Sequence, residues 1–135
     1  MKVNLISDTV TKPSQGMLDA MFSAQVGDDV FVEDPTINAL EQKSAKLFGL
    51  EAGLFCPSGT QTNQIAINAH TRPGDEVICD VLSHIHVYEG GGIAANSGVS
   101  TTLLSGEKGQ ITASQIEEVI KADNVHFPKS SLVSL

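Results

Sequence analysis

Pro57-Ser58-Gly59-Thr60 is the first stretch whose residue types could do chemistry. It falls between a short apolar run and a polar helix predicted from about Gln61 to His70. Proline and glycine shape a tight turn, and a helix N-terminus offers unpaired N–H donors with a favourable dipole. With the hydroxyls of Ser58 and Thr60 added, this geometry suits a phosphate. The same residues are also ordinary helix-capping chemistry. A nucleotide P-loop is excluded, because no Gly-Lys-Ser/Thr ending follows.

The second stretch is Ser83-His84-Ile85-His86-Val87-Tyr88-Glu89, followed by Gly90-Gly91-Gly92. It comes just after an apolar run at Glu76–Cys79, where the ligand crevices of α/β proteins form. An imidazole here can stack on a flat cofactor and exchange protons near neutral pH. His84 and His86 could instead supply two metal ligands, with His70, His126, Cys56 and Cys79 as further candidates. The long separations between these residues argue against zinc, and no metal site is expected. His86 reads as a surface loop residue, and the three glycines lack dinucleotide-fold spacing and read as a flexible turn. In the third stretch, Asp28, Asp29, Glu33 and Asp34 place four carboxylates within seven residues. No EF-hand spacing is present, so a solvated acidic loop is the reading, with Asp34 as a helix cap.

Elements must position these residues. Met17, Leu18, Met21 and Ala24 recur at helical spacing after Pro13-Ser14, with Gly27 as a stop. Asp34-Pro35 gives an N-cap and first helical position, and Ile37, Leu40, Ser44 and Leu47 share a face as far as Gly49. Thr112 and Gln115 have capping-box spacing, followed by a buried stripe of Ile116, Val119 and Ile120. Strands are predicted at Gly53–Cys56, Glu76–Cys79 and Ser100–Leu104, and extended segments at Asn124–Phe127 and Ser131–Leu135. Helices first, then alternating strands and helices, give an α/β class built on a mainly parallel sheet with flanking helices. The apolar run at Leu135 has nothing after it, so the sheet is expected to be truncated in mid-domain, with an unpaired edge and uncovered apolar faces.

A chain of 135 residues with 41% hydrophobic residues can bury a core. The formal net charge of -8 speaks against a general nucleic-acid binder. No run approaches the ~20 apolar residues of a membrane span, and the start lacks a secretory core, so a cytoplasmic protein is expected. Cys56 and Cys79 form no disulfide framework and read as small packed hydrophobes.

Taken in order, the segments resemble the L-threonine aldolases of the aromatic amino acid beta-eliminating lyase/threonine aldolase family. The matching stretches are Ser7–Pro13, Val26–Val30, Glu33–Thr36, Pro57–Thr60, Asn63-Gln64, His70-Thr71, Gly74–Val77, Ser83–Ile85, Tyr88-Glu89, Ser97–Val99 and His126–Pro128. An ordered series running nearly end to end is far more specific than any single motif. It also decides the Ser58–Thr60 reading in favour of a phosphate.

The resemblance implies the N-terminal part of the large domain of the aminotransferase-like fold (fold type I), with an arm and helices over residues 1–50 and an incomplete α/β core over 51–135. It implies pyridoxal 5'-phosphate (PLP) as cofactor and electron sink, and cleavage of L-threonine or L-allo-threonine to glycine and acetaldehyde. By the same resemblance Ser58, Gly59 and Thr60 grip the cofactor phosphate, and His84 stacks on the ring near the reacting hydroxyl. His126 matches a second histidine near the substrate side chain, Ser7 a residue holding the substrate carboxylate, and Tyr88 and Glu89 positions beside the cofactor. Which group acts as base stays open, a histidine relay through water being one route. Phe31 stands where many relatives carry a tyrosine reaching the neighbouring subunit. The full-length family members are expected to be homo-oligomers, dimers or tetramers, acting on small amino acids.

The family takes its cofactor-binding lysine, the acid facing the ring nitrogen and a substrate-binding arginine from later sequence. Lys2, Lys12, Lys43, Lys46, Lys108, Lys121 and Lys129 match none of these, so the isolated chain is expected to be inactive. The alternatives are another PLP beta-eliminating lyase or racemase, and a non-catalytic fragment or pseudoenzyme that associates with full-length subunits. The pair His84 and His126 favours retro-aldol chemistry.

Overall fold

A computed structural model describes residues 3–135, so Lys2 lies outside the described residues. The chain forms two compact units, one running up to Phe55 and the other from Cys56 to Leu135.

The first unit contains helices α1 (Gln15–Ser23) and α2 (Pro35–Phe48). Ser14 caps α1 by accepting from the Met17 N–H. The helix stops before the expected Gly27, because Ser23 Oγ turns back onto the Asp19 carbonyl at 2.7 Å and Ala24 is already extended. Gly27 serves a different purpose. A Cβ there would lie 2.3 Å from the Glu33 carbonyl oxygen, so only glycine lets the acidic loop close on itself.

Asp34 is the organiser of that loop. Its Oδ1 accepts from the N–H groups of Thr36 and Ile37, and its Oδ2 accepts from the Gly27 N–H at 3.0 Å. The amides of Ile37 and Gly27, helped by that of Thr36, outweigh burial and hold the Asp34 carboxyl below its ordinary pKa. Gly49, at φ 66°, closes α2 in the left-handed conformation. The strand expected at Gly53–Cys56 does not form: the Phe55 N–H is taken by the Glu41 carboxylate at 2.7 Å instead of a ladder partner. Among the described residues of this unit, Ala45 is the one buried hydrophobic side chain. The predicted apolar faces are therefore exposed, with Met17 at 59% and Leu47 at 76%.

The second unit is a parallel α/β assembly. Helix α3 (Gly59–His70) leads to strand β1 (Glu76–Asp80), followed by the short helices α4 (His84–Val87) and α5 (Gly92–Ser97). Strand β2 (Ser100–Leu104), helix α6 (Ala113–Val119) and strand β3 (Ser130–Ser134) complete it. The sheet order is β2-β1-β3, with both neighbours parallel to β1. Every residue of the central β1 is buried, in keeping with the apolar Val77–Cys79 at its middle. The core gathers Ile67, Val77, Cys79, Ile85, Ile93 and Val99. Glu76 is buried in β1 yet satisfied, since Thr102 and Ser130 donate to its two oxygens from the flanking strands.

Two sequence expectations need correction here. Asn124–Phe127 is a turn, not an extended segment: the Phe127 N–H reaches back to the Asn124 carbonyl and the His126 N–H to Asn124 Oδ1. Ile120 is 53% exposed and ends α6 as its C-cap, so the buried stripe is carried by half-buried Ile116 and Val119. The capping box at Thr112 and Gln115 is present as read.

Candidate active site

Helix α3 begins two residues earlier than expected. Ser58 is its N-cap, accepting from the Gln61 N–H at 3.1 Å, so Gly59 and Thr60 occupy the first helical turn. Their N–H groups precede the first intrahelical bond and point out of the helix. All three residues are exposed, and the space where a Gly59 side chain would stand is open. Capping and anion binding are thus compatible: Ser58 Oγ takes one amide, while the amides of Gly59 and Thr60 and the Thr60 hydroxyl remain for a phosphate oxygen.

The loop after β1 delivers the histidine. Asp80, buried at the strand's carboxyl end, accepts from the Leu82 N–H and the Gly106 N–H, fixing the exit of the chain. Ile85 then anchors α4 in the core, which leaves His84 on the outer side with its side chain 61% exposed. Its Nδ1 lies 2.8 Å from Oε1 of Glu89, a carboxylate whose side chain is fully buried. The Tyr88 ring stands 5.5 Å from the imidazole, tilted by 43°.

Glu89 is held from three sides: Asn63 Nδ2 donates to Oε1 at 2.7 Å, Gln64 Nε2 to Oε2 at 2.6 Å, and His84 is the third partner. Burial by itself pushes the Glu89 carboxyl up, but the donors Asn63, Gln64 and His84 and the charge of a protonated His84 more than reverse this. The net result is a pKa below the ordinary glutamate value. An ionised carboxylate can only accept, so the proton of that contact sits on His84 Nδ1. In the neutral ring Nε2 then carries the lone pair, free to accept a proton.

A crevice of about 340 Å³ opens beside this group, lined by Asn63, Asp80, Ser83, His84 and Ser134 among others. It lies at the carboxyl ends of β1 and β3, where parallel sheets bind ligands. A larger cavity of about 660 Å³, lined by His70, Arg72, Asp75 and Lys129, opens at the opposite end of the strands. Strand polarity favours the smaller crevice as the site of chemistry.

The structure thus brings His84, Tyr88 and Glu89 together in one unit with the Ser58–Thr60 helix start. His126 does not line the crevice beside His84 and lies exposed in its own turn. Ser7 belongs to the other unit, half-buried, its hydroxyl occupied by Thr9 and Asp8. Phe31 is 72% exposed in the acidic loop. His86 is half-buried rather than a surface residue. Gly90 and Gly91 form the turn with positive φ, but Gly92 is buried and helical. Among the described residues no group of three or more His, Cys, Asp or Glu side chains is arranged to hold a metal ion. Cys79 is a core residue whose thiol is pushed up by burial.

Sequence reading gave Asn63 and Gln64 no role. The signal was available: Gln64 precedes Ile67 by three positions, so a carboxamide shares the buried face of α3 and must find a polar partner.

Comparison with known proteins defines the class. Residues 4–135 match the beta-eliminating lyase family, and the chain belongs to it. Among individual relatives, it is 40% identical over 134 residues to the low specificity L-threonine aldolase of Escherichia coli K12, covering 98% of this chain and 40% of that enzyme. The chain therefore spans about two fifths of the length of that relative. A solved threonine aldolase of Leishmania major aligns with 56% of this chain and 22% of its own, at 32% identity and a TM-score of 0.52. A structure from Exiguobacterium sp. 255-15, described as an aromatic amino acid beta-eliminating lyase/threonine aldolase, shares the fold over 90% of this chain and 34% of its own. Its TM-score is 0.63 at 22% identity. The expected α/β, fold type I class is the observed one. No helix among the described residues is long and apolar enough to cross a membrane.

Proposed function

We propose that this chain is part of a PLP-dependent low-specificity threonine aldolase, cleaving the Cα–Cβ bond of L-threonine or L-allo-threonine to glycine and acetaldehyde. The observation that carries the reading is His84, exposed at the carboxyl end of the central strand with Nδ1 held by a buried carboxylate. Membership of the beta-eliminating lyase family supports it.

The donors at the start of α3 fit the cofactor phosphate, with Ser58, Gly59 and Thr60 supplying amides and hydroxyls. When bound, PLP supplies the electron sink for the bond that breaks. With the cofactor bound, His84 would face its ring and, through Nε2, would take the proton of the β-hydroxyl, directly or by way of one water. Glu89 keeps the imidazole in the required tautomer. Tyr88 lines the substrate side of His84. His126 and Ser7 are assigned by resemblance alone, His126 to the substrate side chain and Ser7 to the substrate carboxylate. We place residues 1–50 as an arm with helices and 51–135 as an incomplete PLP-binding core, and the active assembly as a cytoplasmic homo-oligomer. By the resemblance, none of the seven lysines of this chain stands at the position that binds the cofactor covalently, so the 135-residue chain alone is expected to be inactive.

Absorbance titration of the purified chain with PLP, with and without borohydride, tests this. Non-covalent binding weakened by Ser58→Ala and by Thr60→Val is expected, with no specific trapping. Binding equal in wild type and both variants would overturn the phosphate assignment. A reduced adduct mapped to one lysine, or threonine cleavage with host aldolase excluded, would overturn the inactivity. In any active protein carrying these residues, acetaldehyde release marks the aldolase, whereas ammonia or keto-acid release marks another beta-eliminating lyase.

A further inference from the structure

A line of carboxamides runs from α5 through α3 to Glu89. Asn96 Nδ2 donates to Gln64 Oε1 at 3.1 Å, and Gln64 Nε2 donates to Glu89 Oε2 at 2.6 Å. Gln64 is 9% exposed, whereas Asn96 lies at the surface. A carboxamide has one accepting end and one donating end, so the Asn96 bond reinforces the orientation in which Gln64 presents its donating end to Glu89. Turned over, Gln64 would set its oxygen against the carboxylate.

Gly92 closes the other side. A Cβ at this position would lie 2.6 Å from both Cδ and Oε1 of Gln64 and 2.7 Å from Nε2. The amide therefore rests on bare backbone, where any side chain at position 92 would push it aside. With Oε2 held by Gln64 and Oε1 by Asn63, the Glu89 carboxylate keeps Oε1 directed at His84 Nδ1.

We infer that Gln64, oriented by Asn96 and Gly92, is a positioning residue that acts through Glu89 to keep the proton of neutral His84 on Nδ1 and the lone pair on Nε2. The inference rests on the reading of His84 as the group that accepts the substrate proton. It predicts a property of the ring that exists before any cofactor or substrate binds.

Ring ¹⁵N chemical shifts of histidine-labelled chain identify which nitrogen of His84 is protonated at a pH where the ring is neutral. Wild type is expected in the Nδ1–H form. Gln64→Met keeps the length and loses both polar ends, and it should cost His84 its Nδ1–H majority. Asn96→Ala should move the ring in the same direction by a smaller amount, with an unchanged circular dichroism spectrum. A folded Gln64→Met chain with the wild-type tautomer would overturn the inference. If Gln64→Met fails to fold, an unchanged tautomer in Asn96→Ala overturns it instead. Because the readout needs neither PLP nor turnover, failure to bind PLP would sink the functional proposal and leave this result standing. The reverse outcome would remove Gln64 alone.

Discussion

Replacing Glu89 with glutamine preserves shape and removes the charge at the centre of the site. In the native arrangement Oε1 accepts from Asn63 and His84 while Oε2 accepts from Gln64. A glutamine at 89 keeps the first two only by placing its oxygen at the Oε1 position, and its amide nitrogen then faces Gln64 Nε2, donor against donor. Gln64 can turn over, but that sets its own nitrogen against Asn96 Nδ2, and the conflict moves outward until Asn96 turns to water. One charge-assisted bond becomes neutral or is lost, and two others weaken. Hydrogen bonds to charged groups contribute about 1.5–3 kcal/mol and neutral ones about 0.5–1.5, so Glu89→Gln should cost about 1–3 kcal/mol at neutral pH. The cost must also depend on pH. Because folding lowers the Glu89 pKa, its stabilisation is complete above the ordinary glutamate value and is lost as pH falls through the folded value. Urea unfolding followed by circular dichroism, from neutral pH to acid, should show a gap between wild type and variant that is widest at neutral pH and closes in acid. Other carboxylates titrate in both proteins and cancel in the difference. A gap that is absent at neutral pH, or constant across the range, would refute the reasoning.

Two further perturbations follow from the same geometry. Gly92→Ala puts a methyl 2.6 Å from the Gln64 carboxamide and should destabilise the chain by about 1–3 kcal/mol through overpacking, measured by urea midpoint at constant slope. Asp34→Asn presents an amide nitrogen to one of the three backbone donors that Asp34 holds and should loosen the start of α2, read as lost helical signal. Its pH signature is the same in sign: the lowered Asp34 pKa supplies stability above the ordinary aspartate value that wild type loses on acidification. Asp34→Asn has no such term to lose, so an acid sensitivity equal to wild type would count against the assignment.

What the sequence disclosed and what it hid divide along the range of the forces involved. Asp34 and Thr112 were legible as caps because a cap is settled within four residues, and β1 was legible from the apolar Val77–Cys79 at its middle, buried on both faces. Gly53–Cys56 has the composition of such a strand, yet its fate is decided by a carboxylate from position 41 that captures the Phe55 amide. Composition cannot register a partner fourteen residues away. The chemistry follows the same division. His84 stands out by residue type, and its place after β1 follows from sheet polarity, but its tautomer is set by Glu89, and Glu89 by Gln64 from another helix. Gly92 looked like part of a flexible run because glycine signals freedom of φ when read locally. Its function here is the absence of a Cβ against Gln64, a requirement visible only once α3 and α5 are packed. The proposed acting group, His84, can therefore be found from its neighbours in sequence, but the tautomer that the proposal gives it is a property of the fold.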